Sequence, residues 1–266
     1  MAGEQTIGII GGTGQLGSAI ARGWLSCGVV APEHLWIANR SGESGSLADQ
    51  PGLRFTSDNA ELVAACDTVL LSVPPAQFHD LSIEAADTLI LSVMAGVTIA
   101  DMKERTGARR VIRGMSSPAA SRRLAYSPWC AGEGATASDR ETAAILYGAC
   151  GTADEVRDES HIDIFTAITG PVPGFVAYFA RCVSEYATAR GIAPQIADRA
   201  VRQLFLAGGT ILAEDEATAG EHVREMIDYA GTTAAGLLAM DASLLSQAVA
   251  DGLDAAVERT RSIGKE

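Results

Sequence analysis

The sequence predicts an α/β chain: a parallel-sheet domain over residues 1–160, followed by an all-helical domain over 161–266. Three observations carry this. Short, almost wholly apolar runs alternate with helical stretches through the first half. A glycine-rich turn joins the first apolar run to the first helix. From about Thr152 onward helical periodicity takes over and continues to the C-terminus.

Taken in order, apolar runs at 6–10, 35–38, 53–55, 68–73, 88–93 and 110–113 read as strands. Strands so continuously apolar are buried on both faces, as a parallel sheet demands. Between the first two, the stretch 15–27 places Leu16, Ile20 and Trp24 on one helical face. Asp58 and Glu61 have the spacing of a capping box that opens a helix over 59–65. A last strand-like piece covers 153–156, and helices are expected over 173–190, 194–214, 232–239 and 242–261. Phe175, Val176, Phe179, Val183 and Tyr186 form a broad stripe, continued by Leu204, Phe205, Ile211 and Leu212. Helices apolar over so much of their circumference need partners on several sides, which predicts pairing with a second subunit.

Charge excludes one class of partner. With 20 Lys+Arg against 33 Asp+Glu the net charge is −13, so most of the surface repels a nucleic-acid backbone. Hydrophobic residues at 47% and charged ones at 20% exclude a disordered chain. Met1-Ala2-Gly3-Glu4-Gln5 carries no basic leader region, and the uncharged run 89–100 is too short to span a bilayer. Cys27, Cys66, Cys130, Cys150 and Cys182 are odd in number and form no C-x-x-C pair, as expected of thiols in a reducing cytoplasm. His34, His79, His161 and His222 lie far apart, so no metal site is expected.

The strongest motif is Gly12-Thr13-Gly14-Gln15-Leu16-Gly17, placed directly after a strand and opening an amphipathic helix. This is the context in which G-x-G-x-x-G binds a dinucleotide in a Rossmann-type domain. Gly12 is assigned the tight turn, Gly14 the approach of backbone to pyrophosphate, and Gly17 close helix–strand contact. The end of the second strand reads Asn39-Arg40-Ser41, without the acidic residue that would take the ribose hydroxyls of NAD. Arg40 suits a 2′-phosphate instead, with Ser41 beside it, so NADP is expected and NAD is the alternative.

Lysine chemistry is nearly excluded, because the chain contains only Lys103 and Lys265. No Tyr-x-x-x-Lys exists, and the one lysine in the helical half, Lys265, stands beside the C-terminus. The substrate should therefore need little help from a proton donor. A protonated imine fits, since it already carries the charge that hydride addition removes. In the helical half, Asp228-Tyr229-Ala230-Gly231-Thr232-Thr233 puts hydroxyls and free N–H groups at a helix start. Taken alone, the segment reads as an ordinary Thr N-cap.

With these residues in view the chain resembles the pyrroline-5-carboxylate reductase family over nearly its whole length. The glycine loop and Asn39-Arg40-Ser41 are followed by Ser57-Asp58-Asn59-Ala60, Val73-Pro74, Ala95-Gly96-Val97, Arg113-Gly114-Met115 and Pro118. A hinge, Thr166-Ala167-Ile168-Thr169-Gly170 with Pro173, and Gly231-Thr232-Thr233 complete the series. The resemblance implies NAD(P)H-dependent reduction of a cyclic imino acid, pyrroline-5-carboxylate to proline, by a cytoplasmic enzyme of proline biosynthesis. It also implies interleaved homodimers, often grouped into decamers.

Carried over residue by residue, cofactor contacts fall on Gly12, Thr13, Gly14, Gln15, Leu16, Asn39, Arg40, Ser41, Asn59, Val73, Pro74, Ala95 and Gly96. Met115, Gly231, Thr232 and Thr233 fall in the substrate site, with Thr233 as the catalytic residue that hydrogen-bonds the imine nitrogen. Departures gather on the substrate side. Met115-Ser116-Ser117-Pro118 is one residue shorter than the family's Met-Pro-Asn-Thr-Pro, and Val73-Pro74-Pro75 lacks the family's Lys. Pro171-Val172-Pro173-Gly174-Phe175 and Tyr229-Ala230 also differ from the family pattern. Two other readings remain at this stage: a deazaflavin:NADP-type oxidoreductase, and a nucleotide-binding homologue without catalytic activity.

Overall fold

The computed structural model describes residues 5–263, so the leader reading at Met1–Glu4 and the position of Lys265 lie outside the described residues. The chain divides into two compact units. One runs up to residue 170 and includes the C-terminal segment from 256; the other covers 171–255.

The first unit begins with β1 (Ile7–Ile10), α1 (Gln15–Ser26), β2 (Leu35–Ala38), β3 (Arg54–Thr56), α2 (Asn59–Ala65) and β4 (Thr68–Leu71). A single turn, α3 (Pro75–Phe78), precedes β5 (Leu89–Ser92), α4 (Ile99–Thr106) and β6 (Arg110–Gly114). Then come β7 (Ala125–Ala131), α5 (Ala137–Gly148), β8 (Gly151–Glu155) and α6 (Ser160–Thr169). The eight strands form one sheet in the order β3-β2-β1-β4-β5-β6-β7-β8. All neighbours are parallel except β6 and β7, which pair antiparallel at Ile112↔Ala131, Arg113↔Cys130 and Gly114↔Trp129. The sheet is thus mostly, not wholly, parallel.

Several elements escaped the sequence. The β7 strand carries Pro128, which has no N–H to give a ladder and reads as a strand breaker. Its carbonyl nevertheless accepts the Met115 N–H at 3.0 Å. The charged run around Lys103, where the sequence predicts neither strand nor helix, forms α4 behind a capping box of Thr98 and Asp101. The cap of α2 also differs in detail. Asp58 accepts from the N–H groups of Ala60 and Glu61, but Glu61 does not reach back to Asp58. Instead the Thr56 hydroxyl donates to Glu61 at 2.5 Å and accepts the Asp58 N–H at 3.0 Å.

The two faces of the sheet are covered as period-two strands require. One core cluster joins Ile7, Ile9, Leu35 and Ile37 to Ile20 and Trp24 of α1 and to Leu146 and Tyr147 of α5. The other joins Ile10, Val69 and Leu71 to Leu62 of α2, Met102 of α4 and Ile162 of α6. Trp24 is buried and satisfies its indole N–H on the Leu146 carbonyl at 2.7 Å, locking α1 to α5.

The second unit is helical: α7 (Val172–Thr188), α8 (Pro194–Glu214), α9 (Ala219–Asp228), α10 (Thr232–Asp241) and the larger part of α11 (Leu245–Ile263). The α9 helix was not foreseen from the sequence; Thr218 and Glu221 open it with a capping box. Nearly all large apolar side chains exposed in the structure belong to this unit, Leu124 and Ile164 being the exceptions.

One buried ion pair ties the first unit together. Arg113 of β6, 1% exposed, donates to Glu159 at 3.1 Å and to Asp163 of α6 at 2.5 Å. Glu159 also accepts the Ile99 N–H at the start of α4, 2.8 Å away. Losing one member of such a pair strands the others, so Arg113→Ala should cost about 3–5 kcal/mol. Urea unfolding should show the lowered midpoint.

Candidate active site

The cleft lies where the topology requires it. The chain proceeds outward from β1 through β2 to β3, then returns to place β4 on the other side of β1. Ligands of open α/β sheets bind at such a switch point, outside the carboxyl ends of the strands. Here the ends of β1, β2 and β4 border a cleft of about 590 Å³. Its lining includes Thr13, Gly14, Asn39, Arg40, Asn59, Val73 and Pro74 from the residues assigned to cofactor binding. Gly12, Gln15, Leu16, Ser41, Ala95 and Gly96 do not line it.

The glycines divide their tasks differently from the motif reading. The tight turn belongs to Gly11, whose φ of +83° favours glycine and whose N–H reaches the Ala38 carbonyl at 2.9 Å. Gly12 is buried, and a side chain there would meet Ile37 at 2.9 Å, so its constraint is packing. At Gly17 a Cβ would stand 2.6 Å from the Gly11 carbonyl oxygen, so glycine alone allows α1 to lie this close to the loop. Gly14 is different. A Cβ there meets one atom, the Gly11 oxygen, at 3.2 Å, and its φ is an ordinary −67°. The protein barely needs glycine at this position, whereas a ligand approaching the backbone does.

Gly14 is also the N-cap of α1, without a capping side chain and with no acidic residue in the first turn. The first-turn N–H groups, those of Gln15 and Leu16 included, therefore keep their donor capacity and the positive end of the helix dipole. By contrast α2, α4, α5 and α9 are all closed by Asp or Thr side chains. A pyrophosphate fits the open end of α1.

Arg40 is exposed, is the one basic side chain among the residues lining the cleft, and forms no ion pair among the described residues. Its neighbours have structural tasks. The Asn39 side chain accepts through Oδ1 from the Ser41 N–H at 3.0 Å, the Ser41 hydroxyl at 2.9 Å and the Gly42 N–H at 2.9 Å. Its amide donates to the Glu43 carbonyl at 2.7 Å. Asn39 therefore shapes the turn that presents Arg40, and the Ser41 hydroxyl is turned toward Asn39. Ser57, Gln77 and Asp80 also line the cleft and were missed. Gln77 lies on a helix of one turn begun by Pro75, too short to leave a periodic signal.

On the substrate side, Met115 is buried in the core cluster beneath the sheet, and the Ser116 and Ser127 hydroxyls share a hydrogen bond of 2.9 Å. Ala95 and Gly96 form a half-buried turn beyond β5, with φ of +72° at Gly96. Gly231, Thr232 and Thr233 lie on the second unit. There Gly231, at φ +96°, occupies the N-cap of α10, and no side chain caps the helix. This corrects the reading of an ordinary Thr N-cap: Thr232 and Thr233 are exposed with their hydroxyls uncommitted to capping. The preceding Ala230 holds φ at +65°, an uncommon conformation for a residue with a Cβ. Among the described residues, no three His, Cys, Asp or Glu side chains gather as a metal would need.

Comparison with known proteins finds two family models on different stretches of the chain. Residues 159–263 match the family model for pyrroline-5-carboxylate reductase dimerisation. Residues 6–96 match that for NADP oxidoreductase, coenzyme F420-dependent. A pyrroline-5-carboxylate reductase of Methanosarcina acetivorans is 28% identical over 270 residues, covering 99% of both chains. The chain is thus similar to pyrroline-5-carboxylate reductases along its whole length. Two solved structures share the fold. One, a pyrroline-5-carboxylate reductase from Coxiella burnetii, has a TM-score of 0.85 at 24% identity and covers 98% of this chain and 99% of its own. The other, a Plasmodium falciparum pyrroline carboxylate reductase with NADP bound, has a TM-score of 0.82 at 20% identity and covers 99% and 100%.

The glycine geometry can be checked directly. Gly14→Ala should fold with nearly unchanged stability yet lose dinucleotide binding. Gly17→Ala, whose new methyl meets backbone at 2.6 Å, should lose stability as well. Melting temperature and dinucleotide titration, measured together on both variants, distinguish the two glycines.

Proposed function

We propose that the chain is an NADPH-dependent reductase of a cyclic imino acid, converting pyrroline-5-carboxylate to proline. The observation that carries this is the cleft at the switch point. It combines an uncapped helix N-terminus for the pyrophosphate with Arg40, which forms no ion pair among the described residues, for the 2′-phosphate. Relatives named pyrroline-5-carboxylate reductase, matching along 99% of the chain, supply the substrate class.

In this reading Gly12, Thr13, Gly14, Gln15 and Leu16 hold the pyrophosphate through backbone groups. Asn39, Arg40, Ser41 and Asn59 bind the adenosine end, and Val73, Pro74, Ala95 and Gly96 line the way to the nicotinamide. When bound, NADPH supplies the hydride for the C=N carbon. Thr233 orients the imine nitrogen, while Gly231 and Thr232 bind the carboxylate with helix N–H and hydroxyl groups, and Met115 lies beside the ring. Hydride addition neutralises the protonated imine, so the residues need only orient it and no lysine acid is required.

The match of residues 6–96 to an F420-dependent NADP oxidoreductase model favours a second reading, a deazaflavin:NADP oxidoreductase. That reading leaves the dimerisation match over 159–263 without a role. A turnover screen of cyclic imino acids with NADPH and NADH tests the proposal. NADPH should be preferred and a cyclic imino acid should be reduced. Dinucleotide binding without reduction of any imine would favour an inactive homologue.

Assembly follows from the helices. Val176, Tyr178, Phe179, Leu204 and Leu206 are between 42% and 65% exposed, an apolar load that soluble monomers rarely carry. The stretch Ser160–Thr188 is even long and apolar enough to cross a membrane by length and composition, at mean hydropathy 1.3. The dimerisation match over the same residues supports a second copy of the chain as its cover, in a homodimer or larger homo-oligomer such as a decamer. All five cysteines are free thiols, which supports a reducing, cytoplasmic setting, and the net charge of −13 speaks against a nucleic-acid partner.

Two outcomes follow. Thr233→Val keeps shape but removes one hydroxyl, so kcat/KM for the best imine should fall roughly five- to a hundredfold with NADPH affinity unchanged. Normal turnover in this variant would remove Thr233 from the site. Sedimentation at low micromolar concentration should show a dimer or larger assembly; a stable, folded monomer would reject the assembly.

A further inference from the structure

The loop 39–50, which follows β2 and carries Arg40, is anchored at more than its base. Arg22, on α1, grips Asp49 with both terminal nitrogens, at 2.8 and 2.6 Å, and donates to the Ser46 carbonyl at 2.7 Å. The Ser46 hydroxyl in turn donates to the Thr13 carbonyl at 2.9 Å. Leu47, between these contacts, is fully buried in the core. The hydrogen bonds from Arg22 hold the Asp49 carboxyl down at about 2, so the clamp stays charged across the working pH range. Arg22, Ser46 and Asp49 do not line the cleft.

The clamp therefore joins three parts of one site: the helix whose open end faces the cleft, the Thr13 carbonyl of the glycine loop, and the loop that presents Arg40. We propose that Arg22 is a positioning residue that sets the preference for NADPH over NADH by fixing this loop in the conformation that aims Arg40 at the 2′-phosphate. The proposal rests on the NADPH reading above. A guanidinium meets a phosphate through a planar fork, so its value depends on how well it is held beforehand. An untethered loop must be ordered at the moment of binding, and that cost is subtracted from the affinity. NADH has no group at the 2′ position for Arg40 to meet, so loosening the loop costs it little.

The test titrates NADPH, NADH and adenosine 2′,5′-bisphosphate against the wild type, Arg22→Gln, Asp49→Asn, Arg40→Ala and the Arg40→Ala/Arg22→Gln double variant. It needs no turnover, only binding and a melting temperature for each protein. Arg22→Gln and Asp49→Asn should each weaken NADPH and the bisphosphate about three- to tenfold, the size of one hydrogen-bonded contact, with NADH within twofold. In the Arg40→Ala background, Arg22→Gln should change nothing further, because the two residues act through one contact. Additive losses, equal losses for NADPH and NADH, or an unchanged NADPH:NADH ratio would each overturn the proposal. Asp49→Asn alters an exposed side chain and keeps the test valid if Arg22→Gln folds poorly. A wild type that binds neither dinucleotide would overturn the NADPH reading itself, and this proposal with it.

Discussion

The structure of the nucleotide end depends on one close approach, that of α1 to the loop leaving β1. The Gly17 position lies so near the Gly11 carbonyl that any side chain would push the helix away. Gly11 bends the chain with a positive φ against the Ser72 carbonyl, 2.5 Å from where its own Cβ would be. On the opposite side of β1, Gly8 admits Leu62 of α2 to 2.3 Å from its missing Cβ. β1 is thus squeezed by helices on both faces, and the squeeze leaves the open end of α1 at the cleft. Close packing here accounts for glycine at positions 8, 11 and 17.

That geometry answers an electrostatic difficulty. A chain with net charge −13 offers no general attraction to a polyanionic dinucleotide. In the reading we propose, binding comes from groups that act at contact distance: backbone N–H donors, the positive end of one helix dipole, and a single arginine. Each is effective because it is held in place and not diluted by solvent reorganisation. The side chains around Arg40 are consequently occupied with one another and with the loop. The Asn39 side chain alone makes four hydrogen bonds within the turn. Order in the loop, and not the number of charges, is what distinguishes this end of the cleft.

The second unit obeys a different rule. Its helices carry apolar residues around much of their surface, and Leu206, Ile196 and Leu238 remain more than half exposed. Few exposed apolar side chains belong to the sheet unit, because helices cover both faces of its strands. A chain can therefore be stable as one part and incomplete as the other. The imine-binding threonines belong, in our reading, to the incomplete part, which couples substrate binding to assembly.

The sequence by itself determined the elements whose signals are local. The run β1–α1–β2 follows from an apolar run, a glycine turn and a periodic helix within forty residues, and the helical character of the second half follows from 3.6-residue spacing. The nature of the cofactor was legible too, because the absence of an acid and the presence of Arg40 at one strand end are local facts. What needed partners distant in sequence was decided by tertiary structure. Arg113 finds Glu159 and Asp163 across 46 and 50 residues, and Arg22 finds Asp49 across 27. β7, with a proline at its centre, is a strand because β6 and β8 lie on either side of it. Gly12 carries the motif's name, but whether it or Gly11 makes the turn depends on where Ile37 and Ser72 come to rest. Local chemistry is written in neighbouring residues; a clamp, a buried ion pair or a middle strand exists only after the chain has folded its distant parts together.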